Sequence, residues 1–475
     1  MKSMITQVSS TKEKSFKVLD SLTVGIKEEE NYFSLPTEVV FSMAARNNPK
    51  RSYLFVSKLI GKHIPVRPGT PFIAGFLLAS RLAQTLGLPV VNHQISAFVD
   101  TLVLDRAGQL PAVNGPYQTF RSPNNVKKHQ PYKPYQPYHL PGRALFIGFA
   151  ETATALGHAV FSCFAGRHRY LHTTRENLAG SYDTLFFTEA HCHAPEQRCL
   201  ISDASLVEGN DLLVLIDDEI TSGNTCLDII KTIQGKYPQK KYVVLTILDW
   251  RSNRAMQNYS QLEKELGVPI EVLALIKGSF WSRGTSPVLD SPLAVASCAS
   301  GPAGAVRMLH LPMGVTVHAE VAGSGGTRAG YLGSTGRFGL DEQQNNLLHD
   351  QARALGQKLA RQRQGKRTLC LGTGEFMYIP FLVAGFMGAG VWVQSTTRSP
   401  VHPHLRDDYA VKYAITFEDP FRPGVPNYVY NIPPRIYDEV FVFWERQVLP
   451  RQVAPLVQAL QQAGIPNITF VIFCS

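Results

Sequence analysis

Residues 214–225, VLIDDEITSGNT, carry an apolar run straight into three acids and then into a loop of Thr, Ser, Gly and Asn. An unpaired charge buried in a protein costs on the order of several kcal/mol. A strand of this composition therefore has to deliver Asp217 and Asp218 to its end, facing a ligand rather than a core. In an open α/β sheet that position is the crevice at the carboxyl ends of the strands.

The surrounding sequence supplies such a sheet. Short β-branched or aromatic runs at 144–150, 184–188, 212–217 and 242–250 alternate with helical stretches that include 72–86 and 152–164. This alternation predicts parallel strands joined by crossover helices. Residues 106–142 interrupt it with Pro-Tyr pairs at 116, 131, 134 and 137, read as an extended surface insertion. A span rich in Gly, Ala, Ser and Pro, 283–335, is expected to be a linker. Asp341 then caps a helix with Leu348, Ala352, Leu355 and Leu359 on one face. Strands are expected at 367–371, 391–396, 438–444 and 468–474, with a helix at 449–463. The expected domains are thus 1–282 and 336–475, consistent with a length of 475 residues.

The net charge of +10 favours an anionic partner, either a phosphorylated small molecule or nucleic acid. Seven scattered cysteines argue against a disulfide framework and for a reducing compartment, and the N-terminal segment lacks the apolar core of a signal peptide. A cytoplasmic location is expected. The longest uncharged apolar stretch, between Glu375 and Arg398, is broken by Pro380 and three glycines, so no membrane span is expected.

The loop Thr221-Ser222-Gly223-Asn224-Thr225 offers successive backbone N–H groups and hydroxyls before a helix expected from about Cys226 to Ile233. Such a loop suits a phosphate. Carboxylates so close would repel it unless they bind sugar hydroxyls or act through Mg²⁺, and a sugar phosphate meets both conditions. An acidic helix entry would explain Asp217 but not the loop, and no GxxxxGK[ST] loop supports an NTPase.

Apolar run, paired acids, two variable positions and Thr-Ser-Gly-Asn-Thr together resemble the phosphoribosyl pyrophosphate (PRPP) motif of type I phosphoribosyltransferases. The resemblance implies that family's α/β fold, with Asp217 and Asp218 on the ribose and Thr221, Ser222, Gly223, Asn224 and Thr225 on its 5′-phosphate. IGFAETATALG at 147–157 stands where the family carries its pyrophosphate loop, matching Ala150, Glu151 and Thr152, and HTTRE at 172–176 points to Arg175. The basic segment 46–68 would ordinarily be a solvated helix face. It resembles the phosphoribosyltransferases of tellurite-resistance and stress gene clusters, whose C-terminal domain is named for Thr-Arg-Ser-Pro, found here at 397–400. His191, Cys192, His193 and Cys199 could suggest zinc, but the family's mobile lid lies at this position, so residues 188–200 are read as a lid contributing His191 or His193.

The second block echoes the first. FIGFAE at 146–151 matches CLGTGE at 370–375, and TTR recurs at 173–175 and 396–398. Glu151 and Arg175 are 24 positions apart, Glu375 and Arg398 are 23 apart, and Phe443-Trp444-Glu445 stands where the acid pair should be. The C-terminal domain is therefore expected to be a diverged repeat that does not bind PRPP in the usual way. Glu375, Thr397, Arg398 and Ser399 are its candidates for binding another substrate or completing the site.

The resemblance implies a pentosyl transferase that moves ribose 5-phosphate from PRPP to a nucleobase-like acceptor, with Mg²⁺, in a stress-linked nucleoside-like pathway. It leaves room for a homodimer and makes nucleic acid a weak partner. The alternative is a non-catalytic PRPP or nucleotide sensor whose basic surface contacts nucleic acid.

Overall fold

The computed structural model describes residues 12–46, 48, 51–109, 135–180, 182–188, 196–286, 304–321 and 328–474. They form a mixed α/β protein with two large sheets, of eight and five strands and each built on parallel strands, and five small ones of two or three strands.

In the N-terminal sheet the parallel strands Tyr242–Asp249, Leu212–Ile220, Ala144–Gly148 and His168–His172 lie side by side in that order. Ile270–Gly284 extends the sheet in parallel beyond Tyr242–Asp249, and Leu22–Asn31 and Lys12–Leu19 close that edge in antiparallel pairing. The central strands are apolar on both faces because helices cover both. One of these, Thr70–Thr85, has Pro71 at its start and is buried along most of its length. Its Gly75 lets it approach the helix Thr154–Phe161, since a Cβ there would lie 2.5 Å from Ala159 Cβ.

The C-terminal sheet repeats the order. Asn467–Ile472, Glu439–Trp444, Thr368–Gly372 and Val391–Ser395 are neighbours and parallel, with Val306–His310 added in parallel at the first edge. Taken in chain order, four parallel strands of each sheet are therefore arranged fourth, third, first, second. The helix Glu342–Ala360 begins at Asp341, whose carboxylate accepts from Gln344 N at 2.8 Å while the Gln344 side chain accepts from Asp341 N. Leu348, Ala352 and Leu359 are buried on its inner face, with Leu355 partly buried beside them.

Three expectations change. Residues 184–188 are no part of the parallel sheet: Asp183–Thr188 pairs antiparallel with Glu196–Ile201 as a separate hairpin, a distinction that β propensity cannot make. The span expected as a linker carries strands Val306–His310, Thr316–Val321 and Arg328–Leu332 among its described residues, because short β-branched runs lie between its glycines. The basic segment forms no solvated helix. Phe41–Ala45 pairs with Tyr53–Ser57 in a hairpin, and Arg51 and Lys62 turn inward to Glu219 and Glu151. The Pro-Tyr insertion lies outside the described residues from 110 to 134.

Candidate active site

The strand Leu212–Ile220 is buried through Ile216, and Asp217, Asp218 and Glu219 then emerge half-buried at its carboxyl end. The helix begins at Asn224, two residues earlier than expected, so Asn224 and Thr225 belong to its first turn. Between them, Gly223 has φ of 69°, a left-handed conformation that glycine adopts without strain. A side chain there would also collide with Tyr259, whose hydroxyl donates to Gly223 O at 2.9 Å.

These residues border a cavity of about 520 Å³. Asp217, Asp218 and Thr225 form part of one wall, and Ala150, Glu151, Thr152 and Arg175, from the loops after Ala144–Gly148 and His168–His172, form another. Thr221, Ser222, Gly223 and Asn224 do not line it. The C-terminal domain supplies Thr397, Arg398 and Ser399, whereas Glu375 faces a second cavity. His191 and His193 lie outside the described residues. Cys199 does not; it is a buried thiol, as are Cys163, Cys226, Cys370 and Cys474.

Short hydrogen bonds order the acids. Thr152 Oγ1 donates to Asp218 Oδ1 at 2.7 Å, and Asp218 N donates to Asp217 Oδ1 at 2.9 Å. Burial raises the pKa of Asp218 above the ordinary carboxylate value despite the Thr152 bond. Burial likewise raises that of Glu219, against the opposing pull of Arg51, with which it forms an ion pair. Glu151 shows the opposite balance: burial would raise its pKa, but Lys62, Arg175 and Arg398 together hold it below the usual range.

Lys62 is fully buried; its Nζ lies 3.3 Å from Glu151 Oε2 and donates to Gly374 O at 2.8 Å. Sequence reasoning missed Lys62 and Arg51 as site residues, although the charge density of 46–68 was the available signal. It also missed Arg422 and Tyr428, which line the cavity from the C-terminal domain.

The second cavity, about 90 Å³, lies at the matching place on the C-terminal sheet. Arg337, 1% exposed, occupies its inner end. Its guanidinium donates to both oxygens of Glu445 at 2.7 and 2.9 Å and to Glu375 Oε1 at 2.9 Å. No feature of the sequence around STGRFG marked this arginine. Among the described residues no cluster of His, Cys, Asp or Glu could cage a metal ion alone. Asp217 and Asp218 offer the oxygen donors that Mg²⁺ takes when it is shared with ligand oxygens.

A strand ending in paired acids, a glycine-hinged loop entering a helix, and a neighbouring basic loop thus meet at the carboxyl ends of parallel strands of an α/β sheet. A family model described as "Phosphoribosyl transferase" matches residues 40–279, and one described as "TRSP domain C terminus to PRTase_2" matches residues 334–460. The chain belongs to this phosphoribosyltransferase family and carries its C-terminal TRSP domain. No curated protein matches it.

Solved structures similar to parts of the chain include adenine phosphoribosyltransferases. That of Trypanosoma brucei, in complex with AMP, pyrophosphate and ribose-5-phosphate, is 17% identical over 28% of this chain and 56% of its own, with a TM-score of 0.22. The chain thus spans little more than half of that enzyme's length. Those of Rhodothermus marinus and Saccharomyces cerevisiae are 14% and 11% identical, cover 28% and 29% of this chain and 68% of their own, and both have TM-scores of 0.20.

Proposed function

We propose that this protein transfers ribose 5-phosphate from PRPP to a nitrogen of a nucleobase-like heterocycle and releases pyrophosphate. The observation that carries this reading is the convergence of Asp217 and Asp218, the loop 150–152 and Arg175 on one cavity at the carboxyl ends of parallel strands. In the reaction the bond from ribose C1 to the pyrophosphate oxygen breaks, the electron pair leaving with pyrophosphate, and a bond from C1 to the acceptor nitrogen forms. Positive charge develops on the ribose between these events, as in glycoside chemistry.

Asp217 and Asp218 orient the ribose hydroxyls and face the developing cation, while the loop Thr221-Ser222-Gly223-Asn224-Thr225, of which Thr225 borders the cavity, takes the 5′-phosphate. Arg175 and the backbone of 150–152 hold the pyrophosphate. Mg²⁺, bound with PRPP beside the two aspartates, would supply further neutralisation of the leaving group. The fold is read as the type I phosphoribosyltransferase fold, the compartment as the cytoplasm, and the pathway as stress-linked nucleoside-like biosynthesis. Asp217→Asn with Asp218→Asn is expected to abolish pyrophosphate release when PRPP is screened against a set of bases. Turnover retained in that variant would refute the assigned role.

The C-terminal domain is read as a diverged second copy. Its identical strand order supports this, and so do matching hydrogen bonds. Thr173 Oγ1 accepts from Ala150 N at 2.7 Å, as Thr396 Oγ1 does from Gly374 N at 2.9 Å. Thr174 Oγ1 accepts from Glu176 N at 3.1 Å, as Thr397 Oγ1 does from Ser399 N at 3.1 Å. Each of these threonines also bridges to a hairpin strand, Thr174 to Arg198 and Thr397 to Tyr428.

A further inference from the structure

Contacts between the two domains are reciprocal. Thr397 Oγ1 donates to Glu151 Oε2 at 3.1 Å, and Thr174 Oγ1 donates to Glu375 Oε1, so each threonine reaches the glutamate of the other half. The helices that follow the two glutamates, Thr154–Phe161 and Tyr378–Ala384, meet across the same boundary, with the rings of His158 and Tyr378 stacked 3.5 Å apart. A contact from i to j matched by one from j to i defines a two-fold, isologous interface. Here one chain makes it with itself.

The two halves differ in what they keep. The C-terminal cavity has lost its acid pair, and Arg337 binds Glu375 and Glu445 from within. The N-terminal cavity retains its acids but is not closed by its own domain, because Thr397, Arg398 and Arg422 complete its wall. Arg398 is steadied by Asp419 at 3.1 Å, and it acts electrostatically on Glu151 together with Arg175. Glu151 is already met by Lys62 at 3.3 Å and by the Thr397 hydroxyl. Two arginines, one from each half, thus act on Glu151 beside the loop 150–152 and line the same cavity.

We propose that the C-terminal domain is a built-in partner subunit that has given up its own chemistry and lends Arg398, positioned by Asp419 and Thr397, as a second cation beside Arg175 for the pyrophosphate of bound PRPP. The inference rests on the PRPP reading above, and calorimetric titration of the full chain separates the two. The probes are inorganic pyrophosphate, PRPP and ribose 5-phosphate, each with Mg²⁺.

Arg398→Ala should weaken pyrophosphate and PRPP by roughly 10- to 100-fold, the range of one charge-assisted hydrogen bond, and ribose 5-phosphate by less than about twofold. Arg398→Lys should recover part of the loss. Asp419→Asn, which removes only the support, should give a smaller loss for the same two ligands. Arg398→Gln retains a hydrogen-bond donor towards Asp419 without the charge, so a native near-UV circular dichroism spectrum with the same loss assigns the effect to charge rather than folding. Unchanged pyrophosphate affinity in Arg398→Ala, or an equal loss for ribose 5-phosphate, would overturn the inference. A wild-type chain that binds neither PRPP nor pyrophosphate would instead overturn the transferase reading, and this inference with it.

Discussion

Arg337→Met tests whether the second cavity is held together from inside. In the wild type the guanidinium is 1% exposed and bridges Glu375 and Glu445. Burial alone would raise the pKa of Glu375, but Arg337 outweighs it and holds the carboxyl at about 2 against an ordinary 4.5. A carboxylate with a lowered folded-state pKa contributes stability that is fully present above its unfolded value and disappears as the pH falls through the folded one. A shift of this size corresponds to ~3 kcal/mol at neutral pH. Removing one partner of a buried ion pair costs about 3–5 kcal/mol, which agrees. In the variant only His172 and the Thr174 hydroxyl still oppose burial at Glu375, so its pKa rises and the penalty is greatest at neutral pH.

Urea unfolding followed by tryptophan fluorescence should show Arg337→Met less stable by ~3–5 kcal/mol at pH 7, with the gap to wild type narrowing by ~2 kcal/mol at pH 3. Adding Glu375→Gln and Glu445→Gln should restore part of the loss. A gap below ~1 kcal/mol, or one that does not change with pH, would refute the reasoning.

Two further outcomes follow from the larger cavity. Gly223→Ala forces a left-handed φ of 69° on a side chain and sets its Cβ 2.4 Å from the Tyr259 hydroxyl. At least ~1–2 kcal/mol of stability should be lost, measured by thermal unfolding, and ribose 5-phosphate affinity should fall while pyrophosphate affinity holds. Burial lowers the pKa of Lys62 to about 8 from 10.5, with Glu151 opposing. Below about 8 the ammonium is charged and neutralises Glu151, so kcat/KM for PRPP should fall as pH rises through about 8, and Lys62→Met should lose that limb. Stability has the opposite sign: between about 8 and 10.5 the unfolded chain holds the extra proton, so this group's contribution grows with pH. Parallel pH profiles of activity and stability would refute the assignment.

The strand, loop and helix from 212 to 236 were legible because local chemistry dictated them: apolar run, acids, glycine, helix. Spacing carried the correspondence of Glu151 and Arg175 with Glu375 and Arg398, since the turn after a strand and the crossover helix fix that interval. What local pattern cannot carry is a partner far away in the chain. Arg51 pairs with Glu219 across 168 positions, and Lys62 reaches Gly374 across 312. A run of cations normally signals solvent exposure, so only the fold could turn it inward. Arg337 lies two positions beyond the span expected as a linker, and nothing local could assign it to a buried pair.

The contrast between the two cavities can be stated as one exchange. Where the N-terminal half leaves acids at a strand end half-exposed to a cavity of about 520 Å³, the C-terminal half places Glu445 at the same strand end and neutralises it with a residue of its own. A guanidinium bound bidentate to one carboxylate and shared with another satisfies the site permanently, since the pair cannot be exchanged for a ligand without leaving buried charge. The same arginine donates, at 3.4 Å, to Thr174 Oγ1, the residue before Arg175. The closed second cavity thereby anchors the loop that carries Arg175. On the proposed reading of the C-terminal half as a diverged copy, that half keeps a role, because the arginine that fills its cavity also holds Thr174 beside Arg175 in the neighbouring one.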